Sequence, residues 1–194
     1  KVEDFRAKRI TNYLNLLDTV VTQNFERFKS ELIEKRTQLE DFIAILPTTS
    51  ELKIKLEHLI DSGKNNIMEL KTILDHHFSP GSIDVNIMTK IDKDNFSDDE
   101  QLPVMYNDAH AALRGFVNST TNSSVVFSAG MNPRLYSYME TFDAFYPKAN
   151  GQFQKRIILK VSDFRSAMIQ GNFLAKKGLW VSEYRIESGL NCGG

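Results

Sequence analysis

Four short runs of β-branched and apolar residues constrain this chain most: SIDVNIMTK at 82–90, SVVFSA at 124–129, RIILKV at 156–161 and LWVSEYR at 179–185. Helix-like segments separate the last three and follow the first, DAHAALRGFV at 108–117, PRLYSYMETF at 133–142 and DFRSAMIQGNFLAKK at 163–177. Neighbouring strands can run parallel only if a crossover returns the chain to the starting edge, and a helix is the usual crossover. The alternation therefore predicts an α/β domain of parallel β/α units over residues 79–194.

Local punctuation agrees with that reading. Asn132 before Pro133 predicts an N-cap with proline at the first helical position, and Ser162 or Asp163 predicts a second cap after the third strand. Gly178, after Lys176 and Lys177, predicts a helix stop with positive charge at the negative end of the helix dipole. The acidic stretch DKDNFSDDEQLP at 92–103 follows the first strand and reads as a mobile insertion, or as a lid.

Residues 1–78 carry a different period. Ile10, Leu14, Leu17, Val21, Phe25, Phe28, Leu32, Leu39, Phe42 and Leu46 recur at spacings of three, four or seven, which paints one stripe on a long helix. The stripe ends before Pro47, and Thr48, Thr49 and Ser50 offer capping oxygens for a second helix with Leu52, Leu56, Leu59 and Ile60 on one face. Gly63 separates it from a third, over 65–76. This half reads as a helical hairpin or small bundle. A dimerising arm is the alternative, giving self-association through the N-terminal helices, although a polar gap near Lys35 interrupts any heptad seam.

Composition removes several functions. The chain of 194 residues, 41% of them hydrophobic, is long enough to bury a real core. Its 24 basic residues stand against 25 acidic ones, so it lacks the basic field that nucleic-acid binding needs. No apolar run approaches the ~20 residues that span a bilayer, and no signal-peptide pattern follows Lys1. A single cysteine, Cys192, excludes an internal disulfide. Together these predict a soluble, cytoplasmic protein without a nucleic-acid or membrane partner. The three sequons beginning at Asn95, Asn118 and Asn122 are then chance matches.

In parallel α/β folds the loops after the strands gather at one end, where active sites lie. Here those loops begin at Thr89-Lys90, Ala129-Gly130-Met131-Asn132, Ser162-Asp163 and the stretch ESGLNCGG at 187–194. Arg134, in the first turn after Asn132-Pro133, could receive an anionic substrate group or simply be solvated. Lys160, in an otherwise apolar strand, must meet an anion or pair with a core carboxylate such as Asp84 or Glu183. Cys192 beside two glycines could be a nucleophile with backbone amides as an oxyanion hole, line a cofactor, or be merely buried. Adjacent His76 and His77 with Asp75 make a poor metal set because they diverge around a helix. No phosphate-binding glycine loop, serine elbow or paired-cysteine motif is present.

The succession of a strand ending Ser128-Ala129-Gly130, a helix, the strand Ile157 to Ser162, a helix ending Lys177-Gly178 and a strand running into Gly193-Gly194 resembles the middle of the flavin-dependent nitronate monooxygenase barrels. The resemblance covers residues 82–194. It implies an FMN-dependent oxidoreductase acting on a small-molecule substrate, with Asn86 and Lys160 lining the flavin site. Gly193 and Gly194 would let backbone approach the cofactor closely. Read from the residues themselves, Asn132, Arg134 and Cys192 are the candidate substrate-binding residues. Family members usually follow the glycine pair with histidine, whereas this sequence has Asn191-Cys192-Gly193-Gly194, so no catalytic histidine is assigned. A whole barrel has eight strands and takes about 250 residues. The chain thus reads as a helical segment followed by a partial parallel barrel-like domain, a fragment of a longer protein whose missing half would hold the flavin phosphate.

Overall fold

The computed structural model describes residues 4–62 and 66–187. The chain divides into two compact units: Thr19–Gly81 forms one, and the residues up to Asp18 join those from Ser82 onward in the other.

The first unit is helical. Helix α1 (Phe5–Glu34) ends where Lys35 takes an extended conformation, φ −118° and ψ 102°, and α2 (Arg36–Ile45) follows. The single long helix expected to Leu46 is therefore two, broken at the polar gap rather than by proline or glycine. Helix α3 (Glu51–Asp61) begins at Ser50, whose hydroxyl accepts from the Lys53 amide. Helix α4 (Ile67–His77) begins at Asn66, whose side-chain oxygen accepts from the Glu69 amide at 3.2 Å. Leu32, Leu39, Leu56 and Leu74 fill the centre. Phe28, Phe42 and Phe78 close it, with Phe42 edge-on to Phe78 at 5.1 Å between ring centroids.

The second unit starts with β1 (Val85–Met88). A two-stranded antiparallel hairpin follows, β2 (Phe96–Ser97) and β3 (Glu100–Gln101), whose turn residues Asp98 and Asp99 both have positive φ. Next come α5 (Asp108–Val117), β4 (Ser124–Ser128), α6 (Pro133–Met139), β5 (Arg156–Val161), α7 (Phe164–Ala175) and β6 (Val181–Ile186). The four long strands form one sheet in the order β1-β4-β5-β6, every pair parallel, as the sequence alternation requires. The sheet is open, with β1 and β6 at its edges among the described residues.

Three local expectations have physical counterparts. Asn132 caps α6 by accepting from the Leu135 amide, Asp163 caps α7 by accepting from the Ser166 amide, and Gly178 ends α7 at φ +73°. The acidic insertion is a hairpin tied to α5, because Asp92 accepts from the Ala109 amide at 2.9 Å and Asp94 from the Asn107 side chain at 2.7 Å.

Because consecutive strands are neighbours and parallel crossovers are right-handed, the three helices fall on one face. Val125, Phe127, Ile157 and Leu159 meet Leu113, Phe116, Leu135, Tyr136, Met139 and Leu174 in one buried cluster. The start of α1 joins this cluster through Leu14 and lies along α5. Thr11 donates to the Gly115 carbonyl at 3.0 Å, and Asp4 pairs with Arg114 while Arg6 pairs with Asp108. The units therefore divide at two places, inside α1 after Asp18, where Ala7 and Leu14 are buried with the sheet unit, and again after Gly81.

Gly115 is the close point of this packing. A Cβ there would lie 2.7 Å from the Ala7 carbonyl oxygen and 2.9 Å from Ile10. Glycine to alanine inside a helix ordinarily stabilises by about 1 kcal/mol, but here the added methyl forces helices apart. Gly115→Ala is expected to lower stability by about 1–3 kcal/mol in chemical denaturation, whereas Gly81→Ala, with open space around it, should be near neutral.

Candidate functional site

Strand residues alternate between faces, so the helix-packed residues Ile157, Leu159 and Val161 assign Arg156, Ile158 and Lys160 to the opposite face. Strand register extends the assignment. Asn86 pairs with Val126, Val126 with Ile158 and Ile158 with Glu183 in one row, and beyond it Met88 pairs with Ser128 and Lys160 with Arg185. Parallel sheets are normally covered on both faces and apolar on both. This face instead mixes two buried aliphatics, Val126 and Ile158, with asparagine, serine, lysine, glutamate and arginine.

Its polar groups are arranged. Ser128 donates its hydroxyl to Asn86 Oδ1 at 2.8 Å, which leaves the Asn86 amide nitrogen to other acceptors. The Lys160 ammonium lies 2.8 Å from Glu187, both about one-third exposed. The carboxylates expected as alternative partners of Lys160 belong to Arg185, which donates to Asp84 at 2.9 Å and also binds Glu183. Glu183 and Arg185 are two residues apart on β6 and so share a face; that contact holds the Glu183 carboxyl below its usual range and the guanidinium above its own. Asp84 precedes β1 and Arg185 is on β6, so this pair crosses from the first strand to the last. Three interstrand steps of about 4.8 Å separate those strands in a flat sheet. The contact draws the outer strands together, and the face is concave.

At the carboxyl ends of the strands lies a second network. Asn132 caps α6 and donates to the Thr89 carbonyl at 3.0 Å and to Asp92 Oδ2 at 3.3 Å. Asp92 Oδ2 is 2.8 Å from His110 Nδ1, with both side chains nearly inaccessible. The buried Thr89 hydroxyl donates to the Ser128 carbonyl at 2.9 Å, and Lys90 lies across Gly130, whose φ is +101°. Asn132 is thus committed to holding loops together. Arg134 is exposed on the seven-residue α6, whose first turn Asn132 already satisfies.

The structure thus gathers Asn86 and Lys160 on one face and sets Asn132 and Arg134 apart at the loop end. Cys192, Gly193 and Gly194 lie outside the described residues. Among the described residues no cluster of metal-ligating side chains occurs, and no helix is long and apolar enough to cross a membrane. No family model, curated protein or solved structure matches this chain.

Two groups escaped the sequence reading. The His110–Asp92 pair joins residues from a helix and a loop, and only the crossover brings them together. Lys155 is fully buried just before β5, where its ammonium donates to the Ser119 carbonyl at 3.0 Å and to Thr121, and sits 4.7 Å from the Phe116 ring centroid. Its place beside an apolar run was the available signal. It lies at the amino ends of the strands, the end associated with stability rather than chemistry.

Burial lowers the Lys155 pKa to about 8. Between about pH 8 and the ordinary lysine value near 10.4, the unfolded chain binds more protons than the folded one. Lysine 155 therefore makes stability rise with pH through that window. Lys155→Met should cost about 1–3 kcal/mol at neutral pH by leaving buried carbonyls without a donor, and the difference between wild type and variant should widen from pH 8 to 10. A pH-independent difference in denaturation free energy would contradict this assignment.

Proposed function

We propose that this chain carries the ring-binding part of an FMN-dependent oxidoreductase of the nitronate monooxygenase type, acting on a small organic substrate. The observation that supports it is the concave polar face of a parallel sheet, with Lys160 and Asn86 on adjacent parts of it. A lysine ammonium and a carboxamide N–H suit the carbonyl-rich edge of an isoalloxazine ring, where positive charge favours the reduced form. The phosphate end has no such cradle among the described residues, since Asn132 and Asp163 already cap α6 and α7.

When bound, the flavin supplies the redox chemistry and the protein supplies position and field. In this reading Lys160, paired with Glu187 in the structure, would turn to the ring edge when the flavin binds. Ser128 fixes Asn86 by donating to its oxygen, which orients the amide N–H groups outward. Val126 and Ile158 are the buried aliphatics in the middle of this face. Gly193 and Gly194 retain the role that the family resemblance gives them, close backbone approach to the cofactor.

A second reading makes the chain an interaction or scaffold protein. It is favoured by the exposed aliphatic residues of the helical unit, Ile45, Ile54, Ile67 and Met68, of which Ile45 is 80% exposed.

The flavin reading is tested by the visible spectrum of purified protein and by titration with FMN. A flavin spectrum, or saturable uptake of added FMN, is expected. Lys160→Met should then weaken FMN binding about tenfold or more, as losing a charge-assisted hydrogen bond of about 1.5–3 kcal/mol implies. A colourless protein that takes up no FMN would favour the scaffold reading.

A further inference from the structure

Four phenylalanines of the helical unit meet where its core reaches the surface. Phe42 is edge-on to Phe28 at 5.8 Å and to Phe78 at 5.1 Å between ring centroids, and Phe25 stacks on Phe78 at 6.0 Å. Nothing in the unit closes over them: Phe28 is 40% exposed, and Ile45, one turn beyond Phe42 on α2, is 80% exposed. Contiguous exposed apolar surface of this kind marks a site of interaction. Between α1 and α2, on either side of the break at Lys35, lies an open groove of about 350 Å³ lined by Phe28, Glu31, Gln38, Asp41, Phe42 and Ile45.

The charges of this groove have one sign. Glu31 and Asp41 are acidic, and no cation lines it. The cations nearest in sequence are engaged, Lys29 with Asp75 at 2.7 Å, Arg36 with Glu40 at 2.7 Å and Lys35 with Glu31 at 3.7 Å. The last of these pairs is long and partly exposed, a kind that contributes little, so Glu31 is open to a closer cation. Asp41 has no ion pair among the described residues.

Shape selects among the occupants. A small molecule is held in a pocket that covers most of its surface, and this groove is open. An extended peptide adds to a sheet edge, and the helical unit contains no strand among the described residues. An amphipathic helix, with apolar side chains one turn apart, is the peptide form that seats in an apolar groove between helices. We propose that α1 and α2 dock a basic amphipathic helix of another protein, with an apolar side chain set among Phe28, Phe42 and Ile45 and lysine or arginine on Glu31 and Asp41. The inference rests on the interaction reading of the helical unit, to which it adds the chemistry of the partner, and it is independent of the flavin reading.

The test is fluorescence anisotropy of a labelled helical peptide titrated with the full chain. The peptide carries leucine at i, i+3, i+4 and i+7 and lysine elsewhere, and a twin carries glutamate for each lysine. Saturable binding of the lysine peptide is expected, about tenfold or more tighter than the twin and weakened by salt. Ile45→Ser should weaken it about tenfold. Glu31→Lys with Asp41→Lys should reverse the preference, so that the glutamate peptide binds better. These positions lie at the surface, so the far-ultraviolet circular dichroism spectrum should not change. Ile54→Ser with Met68→Ser, also exposed on the helical unit, should leave binding as it is. No binding of either peptide, equal affinity for both, or a doubled molar mass lost on Ile45→Ser, which makes a second copy the occupant, would overturn the proposal. Binding lost on Ile54→Ser with Met68→Ser instead would overturn the groove and keep the interaction reading.

Discussion

The handedness of the parallel crossover is the constraint from which the rest of this structure follows. Four strands laid down in sequence order, each reached by a right-handed helical connection, force α5, α6 and α7 onto one side of the sheet. Hydrophobic burial then belongs to that side, where Phe127, Tyr136, Leu113 and Leu159 interlock. The other side receives every alternate strand residue and none of these three helices. Its composition is therefore free to serve something other than the core, and it departs from aliphatic where Asn86, Ser128, Lys160, Glu183 and Arg185 appear.

A second division runs along the strands. At their amino ends Lys155 is buried among the Ser119 and Thr121 oxygens, a cation spent on joining two loops. At their carboxyl ends Thr89, Asp92, His110 and Asn132 tie loops to helix starts, and Lys160 stands on the open face nearby with Glu187 as partner. The two lysines differ in access rather than in chemistry. Lys155 is sealed from any ligand, whereas Lys160 is one-third exposed and can exchange one anion for another.

Much of this fold was legible in the residues. The strands, their parallel sense, and the caps at Asn132, Asp163 and Gly178 follow from period and turn chemistry, because those signals act within a few residues. The break at Lys35 is weaker in the sequence: it shows only as a polar gap in the stripe, without the steric signature of proline. The hairpin at 96–101 is hidden for a related reason, since its turn uses two aspartates at positive φ where glycine or asparagine is the common signal. Which surface the start of α1 covers is not encoded in its period at all. Its apolar stripe would fit a helical bundle equally well, and only the glycine at 115 opens α5 to it. The partner of Lys160 was similarly open, because several carboxylates lie near in sequence or across the sheet, and it is Arg185 that takes Asp84 and Glu183 while Lys160 takes Glu187.

The central claim is that the polar face of the sheet is where this protein meets its ligand. The most direct measurement is an amide and side-chain NMR titration of the isotopically labelled full chain with FMN, mapped residue by residue. The account predicts saturable shifts at Asn86, Ser128, Lys160 and Arg185, with the Lys155 and α3–α4 signals unmoved. Shifts confined to the helical unit, or none on the sheet, would contradict it.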